Sequence, residues 1–307
     1  MLGTVYKSTG SWYKVKLDNG KFIDCKLFGK FREHNIKSTN PVCVGDVVKV
    51  KINDKQTSFI ETIFDRKNYL IRKSVKLSKQ FHIIASNIDI CFLTVTIKSP
   101  ETSTMFIDRF LASTFSYGIE TVILFNKVDD INKLEDKNKL NDLILTYTKA
   151  GYKYLKVSGK KNINIDKLKS IMLNKSCVFS GHSGVGKSTL INKLDSKINI
   201  KTLPISKSNL SGQHTTTFSE MYDLEFGARI IDTPGIKGFG LYNIENHELR
   251  DFFKEFTLLE NCKFNNCLHL DEPGCLVKKM VENGEISQSR YSNYVKLLSE
   301  MNNNYRI

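Results

Sequence analysis

The sequence predicts a multidomain protein in which a small β-barrel precedes an α/β domain, and a helical block follows at the C-terminal end. Short alternating strands dominate up to about residue 66, strands alternate with helices over residues 67–242, and helical spacing surrounds a Cys/His cluster over residues 243–307. Period-two alternation is typical of half-buried strands, and strands separated by helices favour a mostly parallel sheet. A length of 307 residues is enough for more than one domain.

The chain is rich in basic residues. It has 46 Lys and Arg residues against 32 Asp and Glu residues, which gives a formal net charge of +14. Such a field attracts polyanions, so nucleic acid or an anionic membrane surface is a candidate partner, although a lysine-biased genome produces the same composition. The hydrophobic content of 40% excludes a disordered tail. No segment predicts a membrane-spanning helix or a signal peptide, so we expect a cytoplasmic protein without a membrane partner.

The first block predicts a barrel of about five strands. Apolar residues alternate with Lys and Asp on both sides of Asn19-Gly20, which is a strong hairpin signal. Further strand patterns follow at residues 48–52 and 59–64. Because the polar face is largely lysine, as in oligonucleotide-binding (OB-fold) barrels, this block is predicted to bind RNA. The alternative is a small β-domain with a solvated lysine face.

The central block alternates strands with helices. Strand patterns lie at residues 83–97, 121–125, 154–157, 177–180 and 228–231, and helical spacing occupies residues 105–117 and 133–149. This alternation predicts an α/β domain with a mostly parallel sheet.

A phosphate-binding loop follows the strand at 177–180. Residues 181–188 match the P-loop pattern, and the apolar face of a helix follows. Lys187 would reach the β- and γ-phosphates, and the Ser188 hydroxyl would bind Mg²⁺. The predicted nucleotide contacts of this loop are Gly181, His182, Ser183, Gly184, Val185, Gly186, Lys187, Ser188 and Thr189. The alternative is a glycine-rich loop without a ligand.

A second phosphate-site motif follows the strand at 228–231. The segment Asp232-Thr233-Pro234-Gly235 places a carboxylate where P-loop proteins hold the metal ion, and Gly235 would donate its N–H to the γ-phosphate. Asp, Pro and Gly also mark ordinary turns, so this motif gains its meaning from the P-loop upstream.

The segment Asn126-Lys127-Val128-Asp129 predicts a guanine site after the strand at 121–125. The Asp129 carboxylate can accept hydrogen bonds from N1–H and the 2-amino group of guanine, whereas adenine offers neither donor and would leave a buried acceptor unpaired. Ser158, at the end of the strand at 154–157, is a weaker candidate for supporting the base. The alternative is a helix start capped by Asn126 or Asp129.

The order of these motifs differs from that of ordinary GTP-binding proteins, in which the P-loop comes first. Here Asn126 precedes Gly181, and Asp232 comes last. A circularly permuted chain can form the same sheet, because the geometry of a site does not depend on where the chain ends lie. We therefore expect a circularly permuted P-loop GTPase domain that leads from Asp232 into the C-terminal block.

A structural zinc site is predicted in that block. Cys262, Cys267, His269 and Cys275 supply three thiolates and one imidazole, which complete a tetrahedral shell and leave no open position for catalysis. The surrounding chain has little core of its own, so the metal would supply folding free energy. The alternative is a group of buried thiols without metal.

The permuted order, the run Gly212-Gln213-His214-Thr215-Thr216-Thr217 and the Cys/His cluster together resemble the ribosome small subunit-dependent GTPase family, RsgA (also called YjeQ). The resemblance covers essentially the whole chain. It implies an OB-fold barrel, a permuted GTPase domain and a zinc domain, for which we expect the boundaries 1–66, 67–242 and 243–307. It also implies ribosome-stimulated GTP hydrolysis late in maturation of the small (30S) subunit, with binding to its rRNA; we expect a monomer.

The threonine run lies where the first switch segment is expected. Thr216 is the predicted Mg²⁺ ligand, with Thr215 as the next candidate. Ile236 occupies the position at which Ras-type proteins carry a water-orienting Gln, so intrinsic hydrolysis should be slow. His214 is predicted to orient or deprotonate the attacking water, as the resemblance also implies, with Lys187 as the second catalytic residue. The alternative for His214 is a solvated loop side chain.

Two other functions remain open at this point. One is a zinc- and RNA-binding protein with a vestigial nucleotide site, and the other is a GTP-dependent metal chaperone without ribosome-linked turnover. Intact Lys187, Ser188, Asp232 and Asp129 argue against the first. Retention of zinc through GTP cycling would argue against the second.

Overall fold

The structure is a computed structural model that describes residues 1–28, 40–53, 57–73, 81–195, 219–232, 241, 244–257 and 262–304. The chain forms two compact units. The first comprises Met1–Cys91, Asp166–Ser180 and Ile191–Ile236, and the second comprises Phe92–Ile165, Gly181–Leu190 and Lys237–Ile307.

The first unit begins with a five-stranded barrel. Its strands are β1 (Leu2–Ser8), β2 (Tyr13–Leu17), β3 (Phe22–Leu27), β4 (Val47–Lys51) and β5 (Ser58–Ile63). The sheet runs in the order β1-β2-β3-β5-β4 and closes because β4 also pairs with β1. Alternating apolar side chains fill its interior, where Val15, Cys25, Val48 and Ile60 are completely buried. The predicted barrel is therefore confirmed.

The rest of the first unit contains two hairpins and a parallel strand. Strands β6 (Tyr69–Lys73) and β7 (Phe81–Ser86) form one hairpin, and β12 (Glu220–Asp223) and β13 (Arg229–Asp232) form the other. Strand β11 (Ser176–Ser180) is parallel to β13, whereas β1 of the barrel adds antiparallel to β12. Helix α3 (Ile165–Met172) precedes β11.

The apolar run at residues 83–97 was predicted as one strand region, but it forms two strands, β7 and β8 (Ile90–Val95). Asn87 separates them with a φ of 52°, a left-handed conformation that asparagine tolerates better than most residues. Its side chain accepts the N–H of Lys67 and donates to the carbonyl of Gly45, so the turn is held by side-chain hydrogen bonds.

The second unit contains the remaining α/β elements. Its strands lie in the order β10 (Lys153–Lys156), β9 (Thr121–Phe125) and β8, with β9 and β10 parallel. Every residue of β8 and β9 is buried, which explains why both are apolar throughout. The helices here are α1 (Thr104–Ser116) and α2 (Leu134–Lys149), close to their predicted positions, while α4 (Lys187–Leu194) starts in this unit.

The C-terminal part of the second unit is helical, as predicted. A 3-10 helix (Asn246–Phe252) is followed by α5 (Lys254–Thr257), α6 (Leu276–Glu282) and α7 (Gln288–Asn304). Leu249, Phe253 and Tyr294 form the centre of its core, which also includes Ala112 of α1 and two residues of the Cys/His cluster, Cys267 and Cys275. The expectation that the chain around the cluster has little core is therefore wrong, because α6 and α7 contribute buried residues to the same core. In the described residues, no helix combines the length and apolar character that crossing a membrane requires.

Candidate functional site

The P-loop connects β11 to α4 and depends on glycine backbone conformations. The φ angles are 140° at Gly181, 85° at Gly184 and 91° at Gly186, which residues with a Cβ rarely adopt. A Cβ at Gly181 would collide with the carbonyl oxygen of Thr94, and a Cβ at Gly186 would lie 2.5 Å from Nδ2 of Asn126. The loop therefore requires glycine at these positions, and a glycine-lined loop at a helix N-terminus is a structure that binds phosphate.

Lys187 folds back onto the loop. Its Nζ donates to the carbonyl oxygens of Gly181 at 2.6 Å and His182 at 2.9 Å. Burial lowers the pKa of Lys187 to about 8, because a desolvated ammonium is destabilised. An anion at the loop would stabilise the charged form, so the position suits a phosphate ligand.

The imidazole of His182 anchors the loop to the start of α1. Its Nε2 lies 2.7 Å from the Thr102 hydroxyl, and the ring packs edge-on against Phe106 with centroids 5.6 Å apart. Burial lowers the pKa of His182, which favours the neutral ring. Neither Thr102 nor Phe106 belongs to a motif that can be recognised from the sequence alone.

Asn126 joins the guanine-site motif to the P-loop. Its Nδ2 donates to the carbonyl of Val185 at 2.8 Å, and its Oδ1 accepts from the N–H of Gly159 at 3.4 Å. The side chain is only 3% exposed, so these bonds are shielded from water. Asn126 therefore braces three segments that are far apart in the sequence.

Asp129 lies in a 3-10 turn, Val128–Asp130, that starts after Lys127 with its φ of 61°. Its Oδ1 is buried and has no hydrogen-bond partner among the described residues. Leaving a buried acceptor unpaired costs about 1–3 kcal/mol, so a ligand that donates here would be stabilised. The helix-cap alternative finds no support, since neither this turn nor α2 has a side-chain cap.

The loop after β10 contributes Ser158. This residue is fully buried, and its Oγ accepts the N–H of Lys161 at 3.0 Å, which closes a turn. The next residue, Gly159, faces α4, where an added Cβ would lie 3.2 Å from Cγ2 of Thr189. The turn at Ser158 is therefore packed against the start of the P-loop helix.

Asp232 ends β13 in the first unit. Strands β13 and β11 are parallel, and Ile231 is opposite Val178. The carboxyl ends of the two strands are therefore side by side, with Asp232 at the end of β13 and Ser180, the residue before the P-loop, at the end of β11. The other residues predicted for the phosphate end of the site, His214, Thr216 and Gly235, lie outside the described residues, as do Thr215 and Ile236.

The Cys/His cluster forms the second candidate site. Ligand atoms of Cys262, Cys267, His269 and Cys275 all lie within 4.8 Å of one another. His269 Nδ1 is 3.6 Å from Sγ of Cys262 and 3.5 Å from Sγ of Cys275. Three of the four residues are buried, so the group could hold a metal ion in a closed site.

Helix α7 supports the backbone of this cluster. The hydroxyl of Tyr291 donates to the carbonyl of His269, and that of Tyr294 donates to the carbonyl of Leu268, each at 2.7 Å. Glu272 accepts the N–H of Leu268 at 2.7 Å from within the cluster loop. Backbone support of this kind orients metal-binding side chains, and it has no signature in the sequence because α7 is distant from the cluster along the chain.

A buried charge cluster lies on the same helix. Arg290 is 1% exposed; its Nε and Nη2 donate to the two oxygens of Glu255, each at 2.7 Å, and its Nη1 donates to Asp108 at 2.8 Å. Asn293 donates to the other oxygen of Asp108 at 2.6 Å. These bonds connect α7 to α1 and α5.

The barrel carries a surface of aromatic and basic side chains, which we call the aromatic–lysine surface; it consists of Trp12, Lys14, Lys16, Phe22 and Lys26. Lys14 lies 5.2 Å from the ring centroid of Phe22, and Lys26 lies 4.5 Å from that of Trp12. Both aromatic side chains are 43% exposed, so they are available for stacking.

Comparison with known proteins agrees with this geometry. The family model described as RsgA GTPase matches residues 63–242, and the one described as RsgA N-terminal domain matches residues 2–60. The chain is 54% identical to Small ribosomal subunit biogenesis GTPase RsgA of Flavobacterium johnsoniae over 312 residues, covering 100% of this chain and 95% of the relative. It is 51% identical to the protein of the same name from Christiangramia forsetii, covering 100% of this chain and 98% of the relative.

Two crystal structures are similar over nearly the whole chain. YjeQ from Thermotoga maritima has a TM-score of 0.82 at 35% identity and covers 98% of both chains. YloQ, described as a circularly permuted GTPase, has a TM-score of 0.79 at 28% identity, covering 99% of this chain and 95% of the other. These matches confirm the resemblance inferred from the order of the motifs. The chain is therefore a member of the RsgA GTPase family.

Proposed function

We propose that this protein is a GTP hydrolase that acts in biogenesis of the small ribosomal subunit. Similarity to RsgA proteins over the full chain supports this function. The observation that carries the nucleotide specificity is the buried, unpartnered Oδ1 of Asp129, which lies in the motif that Asn126 braces against the P-loop.

In this proposal the guanine base donates two hydrogen bonds, from N1–H and from the 2-amino group, to the carboxylate of Asp129. Nζ of Lys127 donates to the carbonyl of Ser99 at 2.5 Å. Ser158 supports the base side of the site through its turn. ATP is disfavoured because adenine leaves the Asp129 carboxylate unpaired.

The phosphates bind along residues 181–189. Lys187 would exchange the loop carbonyls for the β- and γ-phosphate oxygens, and Ser188 would hold the Mg²⁺ that accompanies GTP. Asp232 and Thr216 are proposed to complete the Mg²⁺ environment, and Gly235 to contact the γ-phosphate. His214 is proposed to position the attacking water, since Ile236 cannot do so.

The metal of the Cys/His cluster is proposed to be zinc. Zn–S bonds of about 2.3 Å and Zn–N bonds of about 2.05 Å at a tetrahedral angle predict an S···N separation of about 3.6 Å. The observed separations at His269 are 3.6 and 3.5 Å. A closed, mostly buried set of four ligands fits a structural ion and does not favour a chaperone that must release its metal.

The aromatic–lysine surface of the barrel is proposed to contact rRNA. Exposed Trp12 and Phe22 can stack on unpaired bases, and the neighbouring ammonium groups can pair with phosphates. The net charge of +14 supports association with a polyanion. A cytoplasmic location and a monomeric state fit this role.

The experiment that tests the function measures GTP hydrolysis with and without added small ribosomal subunits. We expect slow hydrolysis by the free protein and a large increase with subunits. Asp129→Asn should bind GTP about 10- to 100-fold more weakly and gain affinity for xanthosine triphosphate, whose carbonyl accepts from the new amide. Asp130→Asn is the matched control, because Asp130 is exposed and should leave GTP binding unchanged.

Two results would contradict the proposal. Unchanged GTP affinity in Asp129→Asn would remove the guanine assignment, and a hydrolysis rate independent of subunits would remove the ribosomal role.

His214→Ala should keep GTP and subunit binding but lose most of the stimulated rate. If it is stimulated like the parent protein, His214 does not position the water.

A further inference from the structure

The β12–β13 hairpin of the first unit lies between two predicted switch segments. In the sequence, β12 starts shortly after the run Gly212–Thr217, and β13 ends at Asp232, the first residue of the second phosphate motif. The hairpin is therefore a described element that the chain joins to both segments. What holds the hairpin in place consequently bears on GTP hydrolysis.

The barrel holds this hairpin by its first strand. Lys7 of β1 is the register partner of Glu220 in β12, and their side chains form an ion pair at 2.8 Å. Asp223, at the other end of β12, receives two further bonds from the barrel. The Tyr6 hydroxyl donates to its Oδ1 and Lys16 donates to its Oδ2, each at 2.6 Å.

The two bonds to Asp223 differ in exposure. Tyr6 is 5% exposed, and burial together with Asp223 raises the pKa of its hydroxyl well above the usual value, so it remains a neutral donor. The side chains of Lys16 and Asp223 are 30% and 40% exposed. An ion pair this exposed contributes little net stability, so Lys16 can exchange Asp223 for another anion at small cost.

Lys16 also belongs to the aromatic–lysine surface. Its Nζ lies 5.5 Å from the ring centroid of Tyr6 and 5.7 Å from that of Phe22, and these two rings contact each other edge-on at 5.2 Å. One lysine is thus shared between the surface proposed for RNA and the carboxylate that holds the hairpin. A phosphate near Phe22 would compete with Asp223 for Lys16.

We propose that Asp223 is a positioning residue that couples RNA binding on the barrel to the β12–β13 hairpin and, through it, to GTP hydrolysis. This inference rests on the proposed function. RNA phosphate draws Lys16 away from Asp223, while the buried Tyr6 bond keeps the hairpin attached in an altered position. Because coupling free energies are reciprocal, a hairpin set by GTP must in turn change the affinity of the barrel for RNA.

The test compares Asp223→Asn and Tyr6→Phe with the parent protein in full-length form. Asp223→Asn removes the charge that holds Lys16 but keeps the size of the side chain, and Tyr6→Phe removes one hydroxyl but keeps the ring. Lys67→Gln is the matched control, since it breaks an exposed ion pair with Asp89 in the same unit, far from the hairpin in the sequence. Rates are measured against the concentration of small subunits.

Asp223→Asn frees Lys16 as RNA phosphate would, so we expect its basal rate to rise and its stimulation by subunits, relative to its own basal rate, to fall at least about fivefold. Tyr6→Phe removes the bond that keeps the displaced hairpin attached, so its basal rate should stay within about twofold while its stimulation falls. Asp223→Glu, which keeps the charge, should restore much of the stimulation. The double variant should be no worse than the more affected single variant, because both changes act through one carboxylate. Lys67→Gln should behave like the parent protein.

Parent-like basal rates and parent-like stimulation in Asp223→Asn and Tyr6→Phe would overturn the inference, and so would a loss of thermal stability without a change in stimulation. A parent protein that subunits do not stimulate would contradict the proposed function instead. The inference is then decided by the affinity for a single-stranded RNA oligonucleotide with a GTP analogue and with GDP. The affinity for RNA with the GTP analogue, divided by that with GDP, should differ from one in the parent protein and approach one in Asp223→Asn. If this quotient is the same in the parent protein and in Asp223→Asn, the inference is overturned.

Discussion

The P-loop with the guanine motif and the Cys/His cluster lie in the same compact unit but are built in different ways. The nucleotide site joins residues 126–129, 158–159 and 181–189, and Asn126 bonds these segments through protein atoms alone. The cluster takes all its ligands from residues 262–275, and His269 contacts two of the cysteines through its imidazole. The first site is therefore preorganised by the sheet, whereas the second should depend on its ion for folding.

Helix α7 provides the cluster with its remaining support. Two tyrosine hydroxyls hold its backbone, and Arg290 and Asn293 of the same helix bond to α1. The dependence of the cluster on the metal and its dependence on α7 can be separated by experiment.

Metal removal should have the largest effect. Chelation or Cys267→Ser should unfold the loop that carries the cluster and destabilise the C-terminal helices packed on it, because a structural zinc contributes on the order of 10 kcal/mol to folding in small domains. GTP affinity should be largely retained, since no cluster residue contributes to the nucleotide site. Circular dichroism, metal analysis and binding of a fluorescent GTP analogue measure these effects. Cys25→Ser controls for loss of a buried thiol; freshly purified, reduced protein without zinc would contradict the expectation.

Arg290→Met should come next. It leaves Asp108 and Glu255 buried without their cation, which costs about 3–5 kcal/mol of unfolding free energy. Arg109→Met is the matched control between α1 and α7, because its pair with Glu300 is exposed and should contribute less than about 1 kcal/mol. Urea denaturation measures both. Equal losses of unfolding free energy in Arg290→Met and Arg109→Met would show that burial does not determine how much the Arg290 cluster contributes to stability.

Gly186→Ala should weaken GTP binding about tenfold or more. The new Cβ would strain the backbone at a φ of 91° and displace the Asn126 amide. Gly118→Ala is the control, because Gly118 also has a positive φ but, among the described residues other than its chain neighbours, an added Cβ would meet no atom within 4 Å. Titration with a fluorescent GTP analogue measures the difference. Similar affinities for the two variants would show that the nucleotide site is less rigid than its contacts indicate.

The smallest effect concerns proton uptake by Lys187. Its pKa of about 8 in the free loop means that it is mostly neutral above pH 8, and a bound phosphate would raise that pKa. GTP binding should therefore take up a proton, and affinity should fall about fivefold between pH 8 and 9. Calorimetry in buffers of different ionisation enthalpy measures the uptake. In Lys187→Arg, which stays charged, the residual affinity should not vary with pH over this range; an unchanged dependence would exclude Lys187 as its source.

The sequence was sufficient to predict an element where a single segment contains all the residues that define it. Strand β9 has its predicted bounds, because a short apolar run that ends at Asn126 is typical of a strand buried on both faces. All five of its residues are buried in the structure. The hairpin at Asn19-Gly20 follows from alternation and turn chemistry, with Gly20 at a φ of 83°. The bounds proposed for the three domains and the role of each site residue stay predictions.

Hydrophobic periodicity did not predict the strands whose conformation depends on pairing with neighbouring strands. Strand β1 was not predicted, because its strand character comes from pairing with β2, β4 and β12. Strand β12 is short and mostly polar, and it is held by β13 on one side and by β1 on the other. Neither has a periodicity that distinguishes it from a loop.

By itself, the sequence determined the GTPase family of this protein and predicted the chemistry of its sites. A phosphate loop, a guanine acceptor and a four-ligand metal cluster each need particular residue types at short, fixed spacings, and such spacings survive in a linear chain. Only the tertiary structure decided which groups support them. Thr102 with His182, Arg290 with Asp108, and Tyr6 with Asp223 are joined by single contacts between distant segments. Such contacts depend on the packing of whole elements, which leaves no periodic trace in the order of the residues.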